Sequence, residues 1–159
     1  TRVRIIAAIA RAAGPLGMVG VQSLDMLYEG QQVGYDVLRG IHSSKTGAMI
    51  TAAVQSGGLV AGADPGQEAA LRAYGDNIGL AFQIVDDLLD VVATTEELGK
   101  TAGSDERAQK VTYPSLFGVE TSKTMAREAA GTAVDALAPF DRKADPLRAL
   151  ANYIVDRRK

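Results

Sequence analysis

From Asp64-Pro65 to about Val92 the chain holds one uninterrupted helical periodicity, and a rod of that length dictates much of what the rest can do. Asp64 is placed to cap it, Pro65 to fill its first position and Gln67 to close a capping box. Advancing about 100° per residue, Asp76, Gln83, Asp86, Asp87 and Asp90 fall within an arc of roughly 100°, with small Gly79 among them. Ile78, Ala81, Val85, Leu88, Leu89 and Val92 lie across the opposite side, which must be covered by other elements.

Those other elements read as helices too. Alanine is abundant, β-branched clusters are few and no stretch alternates apolar with polar residues for long, so the expected class is all-α. Thr1–Ala13 reads as a helix ended by Gly14-Pro15, and Gly17–Leu27 as a second, carrying Gln22 and Asp25 and closed by Glu29-Gly30. Tyr35–Gln55 is expected as a third, with Gly57-Gly58 as its stop or kink. Thr94–Tyr113 is polar and long for a connection, as lids and disordered segments are. Glu120–Leu137 is amphipathic, and Asp145-Pro146 opens a last helix through Asp156, leaving Arg157-Arg158-Lys159 as a tail.

The 159 residues suffice for one domain, which at this size buries roughly 68–70% of the surface its unfolded chain would expose. Alanine-rich helices supply little apolar area per residue, so a bundle built from them alone has a modest core. Together with the absence of a cap or Met at Thr1, this suggests a chain entered partway through something larger. The lack of cysteine excludes a disulfide framework, a thiolate zinc site and a cysteine nucleophile. A formal charge of −2 and a pI near 5.4 argue against a nucleic-acid partner. No membrane span of about 20 residues is expected, since the apolar runs are short and broken by charge. No signal pattern is read at Thr1, so the cytoplasm is the expected location.

The acidic side of the long helix carries the chemistry. A surface helix usually interleaves basic residues at i+4, yet none occurs between Arg72 and Lys100. With 12 Asp in the chain, a D-D-x-x-D pattern is expected by chance only about 0.07 times. Uncompensated carboxylates on a rod suit a hard divalent cation, and Mg²⁺ takes one or two of them together with waters and a ligand's phosphate oxygens. Asp86, Asp87 and Asp90 are therefore the candidate metal ligands. A lone histidine, His42, makes no zinc site by itself. His42, Lys45 and Thr46 share a helix face; Lys45 would be a phosphate-binding charge, or else an ordinary lysine reaching to water, at about even odds. Lys100 and Lys110, in a Gly/Thr/Ser stretch, and the basic tail are more commonly just solvated.

Five segments nevertheless occur together and in order: Gly17-Met18-Val19-Gly20-Val21-Gln22, Ile41-His42-Ser43-Ser44-Lys45-Thr46-Gly47-Ala48, Gly79–Asp90 with F-Q-x-x-D-D-x-x-D, Leu98-Gly99-Lys100-Thr101, and Gln109-Lys110-Val111-Thr112-Tyr113-Pro114. With these the chain resembles the C-terminal half of the trans-isoprenyl diphosphate synthases, the short-chain farnesyl and geranylgeranyl type. The resemblance implies half of an all-α bundle around a central cavity, with residues 1–159 a partial domain. It implies a Mg²⁺-assisted prenyl transfer in which diphosphate leaves an allylic diphosphate and isopentenyl diphosphate attacks the resulting carbocation. By the same likeness Asp86 is a metal ligand, with Asp87 and Asp90 as further or water-mediated ones. Lys45 and Lys100 hold the allylic diphosphate, and Lys110 belongs to a flexible lid. Thr46 and Gln83 line the reacting carbons, and Arg157 and Arg158 belong to a tail over the isopentenyl diphosphate site.

The family's first aspartate-rich motif and N-terminal isopentenyl diphosphate site have no counterpart in these residues, so this chain alone is expected to be inactive. A missing N-terminal half and a second copy, giving a homodimer, are its expected partners. The competing reading is a non-catalytic subunit or remnant that binds magnesium–diphosphate or only dimerises. A terpene cyclase, which shares the fold, is disfavoured by the lysines and the tail.

Overall fold

The computed structural model describes residues 1–15, 17–28, 34, 35, 37, 40, 46–92 and 111–157. Seven α-helices lie among them, and no strand. They are α1 (Arg2–Ala13), α2 (Met18–Leu27), α3 (Ala48–Ala61), α4 (Pro65–Val92), α5 (Tyr113–Phe117), α6 (Val119–Ala136) and α7 (Asp145–Asp156). The all-α expectation holds.

α4 is the axis of the molecule. Its 28 residues span about 42 Å at 1.5 Å per residue. Its start is the expected capping box, with Gln67 N–H donating to Asp64 Oδ1 (2.9 Å) and Asp64 N–H to Gln67 Oε1 (3.1 Å). Leu71, Tyr74, Ile78 and Ala81 join Ala129, Ala130, Ala133 and Leu137 of α6 and its end, and Ala151 and Ile154 of α7, in one core. Ile84, Val85, Leu88 and Leu89 form a second with Tyr113 and Ala126. The alanines of α6 let it approach α4 closely, so the small-residue composition is what makes this packing possible. Tyr74 donates through its hydroxyl to the Leu147 carbonyl (2.8 Å), tying α4 to α7. Arg148 donates to the Leu137, Phe140 and Asp141 carbonyls beyond α6, tying the turn after that helix to α7.

Two boundaries and one apolar stretch differ from the expectation. α3 runs straight through Gly57-Gly58 to Ala61 and ends at Gly62, whose φ of 78° is the left-handed turn. Gly58 is there for contact instead: a Cβ at that position would overlap the Leu71 side chain. The expected connection through Tyr113 ends earlier, because Thr112 caps the short helix α5. Its Oγ1 accepts from Ser115 N–H (3.3 Å), and Ser115 Oγ accepts in return from Thr112 N–H (2.9 Å). The apolar stretch Arg2–Ser23 is, by length and composition, long enough to cross a membrane, contrary to the reading of short broken runs. The turn at Gly14-Pro15 separates α1, of 12 residues, from α2, of 10, whose first part completes the stretch, and each helix is shorter than a span of about 20. Arg4 of α1 forks onto the Glu68 carboxylate of α4, a pairing for a wet surface.

Candidate active site

Asp86, Asp87 and Asp90 follow one another on the last turns of α4 but do not share one environment. Asp86 is about half-exposed, with 48% of its side chain open to solvent. Asp87 and Asp90 are buried, Asp90 at 2% exposure. Asp87 is occupied: its Oδ2 accepts from Tyr113 N–H at 2.9 Å. That N–H belongs to the first turn of α5, where helical backbone donors lack partners and a carboxylate meets the positive end of the helix dipole. The three carboxylates thus sit in different surroundings along one rod. Among the described residues no three acidic or imidazole groups converge as a metal cage. Asp76, at the far end of the same arc, is also committed, accepting from Thr51 Oγ1 (2.8 Å) with Arg72 at 3.7 Å.

Asp86 remains the carboxylate with room for a ligand. A hard cation fits an oxygen donor of this kind, since Mg²⁺ completes its shell with water and the phosphate oxygens of what it binds. Asp86 shares a helix face with Phe82, one turn earlier, and the guanidinium of Arg157 lies over that ring, 4.2 Å from its centre. Arg157 Nη2 is 3.8 Å from Asp86 Oδ1. The tail arginine and the acidic helix thus meet, through a ring, Phe82, that was not among the candidate site residues. The i, i+4 spacing of Phe82 and Asp86 was the signal available; that residue 157 lands on them is a tertiary fact.

Near Thr46 the start of α3 crosses α4 at Gly79. The backbone at Thr46-Gly47 winds wide, as a π turn, before entering α3. Gly47 Cα would lie 2.6 Å from a Cβ on Gly79, so only glycine permits this crossing. Gln83, buried, is one turn beyond Gly79 on α4. Lys45, Lys100, Lys110 and Arg158, with His42, lie outside the described residues. A cavity of about 800 Å³ runs between α1, α3 and α4, lined by Arg4, Arg11, Thr51, Glu68, Asp76 and Leu80 among others. It stops a turn short of Gln83, and neither Thr46 nor any candidate carboxylate lines it.

The polyprenyl synthetase family model matches residues 2–142. The chain belongs to the polyprenyl synthetase family. It is 48% identical over 155 residues to the dimethylallyltranstransferase of Fischerella ambigua, covering 97% of this chain and 45% of that protein. It is 45% identical over 163 residues to the farnesyl diphosphate synthase of Escherichia coli, covering 99% and 54%. The crystal structure of the Helicobacter pylori geranyltransferase complexed with magnesium and isoprenyl diphosphate superposes with a TM-score of 0.81 at 28% identity, covering 97% of this chain and 50% of that one. This polyprenyl synthetase chain thus spans about half the length of the curated relatives it matches. Its helices are those of the family's all-α fold.

Proposed function

We propose that this chain supplies the second aspartate-rich half of a short-chain prenyltransferase, farnesyl or geranylgeranyl in type, acting in the cytoplasm on isopentenyl diphosphate and an allylic diphosphate. The observation that carries the reading is the meeting of Asp86, Phe82 and Arg157 at the end of α4 that also bears Gln83. In this reading Asp86 holds Mg²⁺, with Asp90 acting at most through the surrounding shell and Asp87 fixing the fold beside it. Magnesium, when bound, neutralises the leaving diphosphate and so favours ionisation of the allylic carbon–oxygen bond. Lys45 and Lys100 bind the same diphosphate as point charges. The Thr46 hydroxyl and the Gln83 amide oxygen turn partial negative charge toward the carbocation, which costs least when those dipoles are already fixed by burial. Lys110 and the tail residues Arg157 and Arg158 bind the second diphosphate and keep water from the cation. The double bond of isopentenyl diphosphate attacks the cation, and the proton then lost goes to the released diphosphate.

The other half of the cavity, with its own carboxylates, comes from residues beyond this chain, and the working protein is a homodimer. The commitment of Asp87 to the Tyr113 N–H favours a second reading, a non-catalytic partner of an active subunit. One experiment separates them. In the protein that joins this chain to a first aspartate-rich half, Asp86→Ala should abolish Mg²⁺-dependent diphosphate release, a loss of at least about a hundredfold for removal of one strong electrostatic contact. Turnover near that of the parent would overturn the catalytic reading in favour of the second.

A further inference from the structure

Arg157 is held in place without being satisfied. Its Nε and Nη2 are shut off from water and have no hydrogen-bond partner. Nη2 stands 3.8 Å from Asp86 Oδ1, beyond hydrogen-bonding reach, while the guanidinium face rests on Phe82. A guanidinium is donor-only, so buried N–H groups without acceptors oppose this placement, and the ring and the carboxylate's charge favour it. Arg157 also terminates α7. Its own N–H closes the last turn of α7 onto the Tyr153 carbonyl (3.0 Å), and its φ and ψ of −64° and 146° turn the backbone out of the helix.

We infer that Arg157 is an exchangeable counter-ion of Asp86, displaced from its seat on Phe82 when a divalent cation takes the carboxylate. The inference rests on Asp86 being the metal-holding group. A doubly charged ion bound there repels a guanidinium 3.8 Å from the same oxygen, and the arginine has weak ties to oppose that. Its unsatisfied donors then become available to an anion. Linkage makes the effect reciprocal: whatever factor the metal takes from the arginine's seat, the arginine takes from metal affinity.

The test uses Mn²⁺ as a stand-in for Mg²⁺, counted by the resonance of the free ion. Arg157→Gln should tighten Mn²⁺ binding about two- to fivefold, the range expected for losing a partly exposed ion pair. Phe82→Leu should tighten it by less, and Asp86→Asn should lose it. The chain has no cysteine, so Lys159→Cys offers a unique position for a dye. Its anisotropy should fall when metal is added and should already be low in Asp86→Asn. Unchanged Mn²⁺ affinity in Arg157→Gln, or a dye indifferent to metal, overturns the exchange while leaving Asp86 as the metal carboxylate. A parent protein that binds no Mn²⁺ overturns both.

Discussion

Neighbouring aspartates on α4 divide their labour according to what surrounds them. Asp86 faces partly into solvent, while Asp87 is spent on the Tyr113 N–H. Asp87→Ala should cost about 2 kcal/mol of stability, the worth of a hydrogen bond to a charged acceptor, whereas Asp87→Asn, which keeps an acceptor, should cost less; urea unfolding measures both. Equal losses in the two variants would mean that the charge itself, not the accepted N–H, matters there. Tyr74 gives a pH signature. Burial pushes its hydroxyl above the usual tyrosine range, so the folded state favours the neutral form. The stability this contributes is complete below the unfolded-state pKa of about 10 and is lost as pH rises from there through the folded value. Tyr74→Phe should cost about 1 kcal/mol at neutral pH by removing the bond to Leu147, and should lessen the alkaline fall in stability. The acidic arc was legible in the sequence because helical geometry needs only spacing. Which of its members is open was not, because Tyr113 comes to Asp87 from 26 residues away.

Helix starts proved easier to read than helix contacts. Asp64, Pro65 and Gln67 announce α4 within four residues of each other, because capping is local chemistry. Thr112 with Pro114 and Ser115 is a similar local signal for α5, but the helix it opens has only five residues and no periodicity to support it. Glycines carried the opposite difficulty. Gly57-Gly58 has the look of a break, yet α3 continues, because tertiary packing overrides propensity where a partner helix needs the space. Their environments predict opposite responses. A Cβ on Gly57 meets nothing within 4 Å, so Gly57→Ala should stabilise the protein by about 0.5–1 kcal/mol. A Cβ on Gly75 would lie 2.7 Å from the Thr51 backbone, so Gly75→Ala must push α3 from α4, at a cost of about 1–3 kcal/mol. Thermal unfolding of the two variants should move in opposite directions.

At the scale of the whole molecule, the apolar surface is unevenly spent. α4 is wrapped, while α1 and α2 leave Val3, Ile6, Val19 and Met26 largely in solvent. Surface of that kind on consecutive helices invites association. The chain should therefore sediment above its 16.6 kDa monomer, and Ile6→Lys should shift it toward that mass; a parent that already sediments as a monomer would contradict this. The all-α class and the layout around α4 were readable from composition and period, but the division into wrapped and bare helices depends on which residues the rest of a bundle would cover. The Asp87–Tyr113 link acts mechanically at this scale. The chain departs from α4 at Val92 and is pinned on its return to a side chain five positions before that exit. Val92 and Tyr113 are thus fastened to the same short length of rod, so the start of α5 cannot shift without moving the backbone next to Asp86.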